Sequence, residues 1–341
     1  MPTAYISSPR SSVALQGKRL QVTGPNPDTK AGRPVVLREI PLFDLDRVGL
    51  MEGCRISPAA MAELMRRDIP ISLLGWSGQF LGSVLPEAPA HAAWRLLQYR
   101  RATPDSAVDS FALGASREII AAKIANQRRV IQRLAARRNL VDLPAVRRLN
   151  HLLGRVERVI DAPTLLGLEG AASATYFSAW AEFLPAEFPF ERRSRRPPHN
   201  PVNAVISFAS AVLYGETVST IHTAGLDPGV GVFHSTENGR WSLALDLMEP
   251  FRPALIEPLA LDLFGRGMVD TADFEPRDGG IYLAAGGRKT LLVQLERRLK
   301  REFLSEHAGH RTTLRAQLRQ TVSDFKASLE AKEAFRPFRM N

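Results

Sequence analysis

Residues 163–183 read PTLLGLEGAASATYFSAWAEF. Apolar and small residues recur at helical spacing, so the stretch is predicted to be a helix. On such a helix Glu169, Ala172, Ser173, Tyr176 and Trp180 share one face. Small residues beside Glu169 would let a ligand come close to its carboxylate. Tyr176, two turns on, could stack on a base or donate to a phosphate. A structural role is open for both: Glu169 as a buried acid paired with an arginine, Tyr176 as a core aromatic.

Working outward, residues 202–224 form a second apolar stretch, closed by Gly225. Residues 165–184 carry Glu169 and Glu182, and residues 203–221 carry Glu216, so neither is an uninterrupted apolar span. Both are expected to be buried helices of a large core, with no membrane. Upstream, Ile120, Ile124, Ile131 and Leu134 follow helical spacing, with Arg128, Arg129, Arg133, Arg137 and Arg138 mostly on other faces. Downstream, a helix is expected from about Lys289 to His307, then another, then a loose tail, FRPFRMN.

The first 85 or so residues read differently. SSVALQGKRLQVTG alternates and ends at Gly24 and Pro25, as a strand does before a turn. PVVLREIPLFDLDRVGLM offers two more short runs, broken at Pro41. ISLLGW and QFLGSVL, separated by Ser77 and Gly78, suggest a hairpin. SPAAMAELMRRD is a short helix, with Ser57 as N-cap and Pro58 at its first position. The expected fold class is therefore α+β. A small β-rich N-terminal domain over residues 1–85 is followed by a linker at 86–90 with Pro86 and Pro89. A larger all-α domain over residues 91–341 contains Glu169 and Tyr176.

The 341 residues include 45% hydrophobic ones, which excludes a disordered chain. Lys and Arg outnumber Asp and Glu by 45 to 35, a formal net charge of +10, which favours a polyanionic partner. Cys54 alone makes neither an internal disulfide nor a cysteine zinc site, so a reducing, cytoplasmic setting is expected. The N-terminus has no signal-peptide pattern, and no phosphate-binding P-loop occurs, which argues against an NTPase.

Three further acid and imidazole groups lie in apolar or glycine-rich settings. His234 ends GLDPGVGVFH, on a loop or strand end. Asp246 and Glu249 lie in SLALDLMEPFRP, spaced to face one way on a helix. Two carboxylates and an imidazole suit Mg2+ or Mn2+ and leave positions for water and phosphate oxygens. Such a metal acts as a Lewis acid on a phosphodiester. Candidate phosphate contacts are Arg192, Arg193, Arg195 and Arg196 in ERRSRRPPHNP, Arg252, and Arg288 with Lys289 in GGRK. Arginine pairs are also ordinary surface features.

GLEGAASATYF, RRPPHNPVNAVISFASAVLYGE, AGLDPGVGVFH, SLALDLMEPFRP and GGRK, in that order, resemble the motifs of the Cas-one family, the CRISPR-associated integrase and endonuclease. The resemblance is strong over residues 91–330 and covers the N-terminal region in layout only. It implies a β-rich domain that forms a homodimer and a helical catalytic domain. It implies Mg2+- or Mn2+-dependent cleavage and transesterification of double-stranded DNA. It also implies assembly with the Cas-two protein to join protospacers to the CRISPR repeat. By motif, Glu169, His234 and Glu249 match the metal ligands and Asp246 an accessory acid. Ala174 stands where an arginine is frequent, and Asn200 where an aspartate is usual. Some relatives are fused to a Cas-four nuclease domain. With one cysteine, no iron–sulfur domain of that kind is expected here.

Overall fold

The computed structural model describes residues 3–26, 33–87, 91–102, 111–140, 143–234, 239–306, 308–330 and 334–341. It is a mixed α+β structure whose strands concentrate toward the N-terminus and whose long helices follow.

The N-terminal part contains β1 (Thr3–Ile6), β2 (Ser12–Gln16), β3 (Arg19–Gly24), β4 (Val35–Pro41), β5 (Arg47–Met51), β6 (Arg55–Ile56), α1 (Pro58–Arg66), β7 (Ile71–Leu74) and β8 (Phe80–Val84). They make two four-stranded sheets, in the orders β4-β3-β2-β6 and β1-β5-β7-β8. The stretch read as one strand is a hairpin. Gly17, at φ +58, takes the left-handed turn, which places Val13 opposite Val22 and Leu15 opposite Leu20. Val13, Leu20, Val22, Ile40, Val48, Leu64 and Ile71 bury one another in a common core. Ser57 caps α1 as expected, accepting from Ala60 N at 3.2 Å. The β7–β8 hairpin is also present.

The remaining elements are α2 (Ala92–Ala102), α3 (Phe111–Arg137), α4 (Pro144–Val156), α5 (Ala162–Ala181), α6 (Pro201–Thr223), α7 (Ser242–Met248), α8 (Phe251–Gly265), β9 (Phe274–Arg277), β10 (Gly280–Leu283), α9 (Ala285–Lys300), β11 (Phe303–Ser305), β12 (His310–Thr312) and α10 (Leu314–Ser328). The helices expected over 163–183 and 202–224 are α5 and α6. Gly225 closes α6 at φ +80. Asn200 caps it, accepting from Asn203 N at 2.8 Å, a role its side-chain oxygen shares with an aspartate. α6 is long and apolar enough to cross a membrane, but 72% of its apolar window is buried inside the protein.

Three expectations are corrected. The C-terminal part is not all helical, because β9 pairs with β10 and β11 with β12. The helix expected from Lys289 starts at Ala285 and ends at Lys300, since Arg301 is extended and the chain enters β11. The tail is not loose. Phe335 and Phe338 are buried, and Phe338 stacks on Phe251 with ring centroids 4.9 Å apart. Asn126 of α3 donates to Phe338 O at 3.2 Å and accepts from Met340 N at 2.7 Å.

Of the linker expected at 86–90, residues 88–90 lie outside the described residues. The sheets are joined to the helices elsewhere, by packing and charge. Arg315 of α10 pairs with Glu216 of α6 at 2.6 Å and with Glu296 of α9 at 2.8 Å. Glu296 also accepts from the backbone N–H of Thr3 in β1 at 3.0 Å. Gly78 and Gly215 allow close approach: a methyl group at Gly78 would lie 2.3 Å from the ring of Phe208 and one at Gly215 2.6 Å from that of Phe80.

Candidate active site

The loop after α6 is built around Asp246. Gln98 of α2, fully buried, donates to Asp227 O at 2.8 Å and Val230 O at 2.9 Å, and accepts from Asp227 N at 2.8 Å. Ser116 of α3 donates to Val232 O at 2.9 Å. The loop then wraps the Asp246 carboxylate. Oδ2 accepts from the backbone N–H of Val232 at 2.7 Å and Phe233 at 3.0 Å. Oδ1 accepts from the backbone N–H of His234 at 2.9 Å. Gly231 is what permits this closeness, since a methyl group there would lie 2.6 Å from Oδ2. His234 Nδ1 lies 2.6 Å from Oδ1. A carboxylate can only accept, so Nδ1 donates to it and Nε2 is left for a second partner.

α7 ends at Met248, and Glu249 with Pro250 turns the chain into α8. Asp246 and Glu249 therefore do not sit on one continuous helix with one shared target. Asp246 faces the loop, whereas Glu249 meets two cations. Its Oε1 accepts from Arg252 at 3.0 Å, and its Oε2 pairs with Lys123 Nζ at 2.5 Å. The same Lys123 ammonium pairs with Oε1 of Glu169 on α5, which also accepts from Ser173 at 2.8 Å. Asn126, one turn along α3, donates to Pro250 O at 2.7 Å and fixes the turn that carries Glu249.

Electrostatics follow from this geometry. Burial raises the Glu249 carboxyl, but the charges of Arg252 and then Lys123, with a smaller contribution from His234, hold it well below the usual carboxylate range. Burial also raises Glu169, and Lys123 again overcomes it, so this carboxyl too is lowered. Glu257, one further buried acid of α8, goes the other way: burial lifts it, and Arg252 offsets only part of that.

The expected site residues separate into groups. Glu169, His234, Asp246 and Glu249 lie in one neighbourhood. Arg252 is buried against Glu249 as its counter-ion, so it is not an exposed phosphate contact. Arg193 is turned inward, donating to Ser194 O and Asn203 Oδ1 at 2.7 Å and to Ser207 at 3.2 Å. Tyr176 is fully buried among Phe177 and its core neighbours, so it cannot stack on a base. Arg192, Arg195, Arg196 and Lys289 are exposed. Of these, Arg195 feels the site's charges: its pKa is lowered first by the charge of Arg252, then by burial, while Glu249 and Glu169 oppose the shift. Arg288 is half-buried and occupied with Leu283 O. The residue missed in the sequence is Lys123. Its signal was there: one lysine amid Ile119, Ile120, Ala121, Ala122 and Ile124, on the face that periodicity turns inward.

Among the described residues, no three His, Cys, Asp or Glu side chains are grouped so as to hold a metal ion. The donor chemistry nevertheless fits Mg2+ or Mn2+, with two carboxylates kept ionised and an imidazole whose Nε2 is left for a second partner. The ammonium of Lys123 pairs with both carboxylates.

The family model of "CRISPR associated protein Cas1" matches residues 4–297. An exonuclease Cas4/endonuclease Cas1 fusion from Rhodospirillum rubrum is 37% identical over 82% of this chain and 48% of the relative. The chain thus spans about half the length of that fusion. An endonuclease Cas1 of the same organism is 36% identical over 79% of this chain and 81% of the relative. Among solved structures, a casposase bound to integration product superposes with a TM-score of 0.83 at 21% identity, over 98% of this chain and 92% of that one. At that identity the likeness concerns the fold.

Proposed function

The chain belongs to the Cas1 family of CRISPR-associated proteins, and from that premise we propose that it is a metal-dependent DNA endonuclease and integrase of spacer acquisition. The observation that carries this reading is the meeting of Glu169 of α5 and Glu249 of the α7–α8 turn on one buried cation, with an imidazole fixed by Asp246 near Glu249. Glu169, Glu249 and His234 Nε2 would hold Mg2+ or Mn2+, which supplies a Lewis acid for phosphodiester cleavage and transesterification. Asp246 orients His234 and fixes its tautomer. Arg252 keeps Glu249 ionised at all working pH values. Arg195 and Arg196 hold the DNA backbone near these groups, without reading its sequence.

The assembly is part of the same proposal. A homodimer forms through the N-terminal sheets, and the Cas-two protein joins it on protospacer and repeat DNA in the cytoplasm. What supports the dimer is the edge strand β4 with the turn after it, where Val36, Leu37 and Phe43 are exposed, Phe43 by 77%.

The test is a protospacer duplex with free 3′-OH ends incubated with a supercoiled repeat plasmid in Mg2+ or Mn2+, with the Cas-two protein present. Joined or relaxed products that require the 3′ ends support an integrase. Cleavage without joining points to a nuclease alone, and binding without either to a non-catalytic DNA binder.

A further inference from the structure

Lys123 sits at the centre of the site, and the proposed chemistry gives it no task. Its side chain is only 6% exposed, and its ammonium lies between Glu169 and Glu249. Buried on α3 beside Ile119, Ile120 and Ile124, the charge is tolerable only because the carboxylates compensate it. The dependence is mutual. Without Lys123, the cation paired with both carboxylates is gone: Glu169 would face Glu249 with Arg252 on the far oxygen of Glu249 and the exposed Arg195 further out. A divalent ion at this place needs oxygens of the same two carboxylates. Two cations at those oxygens repel, so they compete for them. The lysine is attached by a flexible four-carbon stem and can withdraw, whereas Arg252 is fixed by its turn of helix.

We infer that Lys123 is a resident counter-cation that holds the carboxylates together before metal arrives and must yield them for metal to enter. The inference rests on the metal-dependent reading above. It adds that intrinsic metal affinity is set low by an internal competitor, so metal loading is favoured when DNA phosphates add negative charge.

The experiment compares wild type, Lys123→Met and Lys123→Arg. Free Mn2+ is counted by electron paramagnetic resonance during titration without DNA, and thermal unfolding is followed with and without Mn2+. The Met variant is expected to bind Mn2+ about tenfold more tightly than wild type, since removing one charge near a divalent ion is worth at least that at an interior site. It should melt lower than wild type without metal and regain most of the loss with Mn2+. The Arg variant, still cationic, should stay near wild type in both. An Mn2+ affinity of the Met variant equal to or weaker than wild type overturns the inference, whatever the melting data show. If the Met variant unfolds without metal, it is refolded in Mn2+; recovery supports the inference and failure to recover overturns it. A wild-type protein that binds no Mn2+, with or without DNA, sinks the metal-dependent reading instead. The metal-free melting of Met against Arg variants then decides whether Lys123 is the counter-ion.

Discussion

Oδ1 of Asp246 receives both the backbone N–H and the ring Nδ1 of His234, at 2.9 and 2.6 Å. One oxygen thus sets the position of the residue and the tautomer of its ring. Asp246→Asn keeps the shape but presents an amide that can invert the imidazole. Its expected result is a loss of about 10- to 100-fold in cleavage and joining, the range for a group that orients a ligand. Steady-state assays over Mn2+ concentration check it; an unchanged rate would remove Asp246 from the site.

His234→Ala should abolish cleavage and integration while the protein still folds, because the ring is partly exposed and packs edge-on to Phe233 without filling a core position. Circular dichroism with the plasmid assay checks both halves. Loss of fold would make His234 structural.

Glu249→Gln should also abolish activity, but at a cost in stability of about 3–5 kcal/mol, the scale for breaking a buried ion pair by removing one partner. Lys123 and Arg252 would be left partly uncompensated. Urea unfolding at neutral pH gives the number. A cost near zero would mean that water reaches these cations freely.

Stability should fall in acid through Glu216 and Glu296. Burial raises both carboxyls, and Arg315 more than reverses this, so their folded values lie below the ordinary ones. A depressed folded pKa gives stability that is complete above the unfolded value, about pH 4.5, and is lost as pH falls through the folded value. Denaturation midpoints from neutral pH to about pH 3 should show this decline, and Arg315→Met should reduce it. A pH-independent Arg315→Met difference would contradict the assignment.

Arg195→Ala with Arg196→Ala should weaken binding to all duplexes alike. It should lower the slope of log affinity against log salt by about two, near one per lost phosphate contact. Loss confined to one sequence would mean that these arginines read bases.

Phe338→Ala should cost about 3–5 kcal/mol, as truncation of a buried aromatic does. It should also lower activity, because Asn126 ties the Phe338 segment to the turn that carries Glu249. Calorimetry and the joining assay together test this; a silent variant would show that the tail only rests on the surface.

The parts legible in the sequence were those governed by local rules. Periodicity marked α5 and α6, Ser57 and Pro58 marked the start of α1, and Gly225 marked the end of α6. The motifs singled out Glu169, His234, Asp246 and Glu249 as candidates. What escaped was decided across long separations. Nothing local to FRPFRMN shows that Asn126 awaits it. Tyr176 has the spacing of its face but not the identity of what covers that face, which is protein. Arg193 belongs to a run of charge that resembles solvated surface, and Arg252 follows Glu249 in an otherwise apolar stretch; each is consumed by a partner inside. Lys123 violates its own apolar stripe, and only the approach of two other helices explains why.

The joint formed by Thr3, Glu216, Glu296 and Arg315 has a mechanical consequence. A β-strand near the N-terminus is tied to three helices at one point. If a second copy docks on the sheets as proposed, a pull on β1 reaches these helices through this joint. In the proposed dimer the spacing and tilt of the two candidate sites would then be a fixed dimension of the assembly. A bound duplex would have to conform to that dimension, bending or fraying where its own length disagrees.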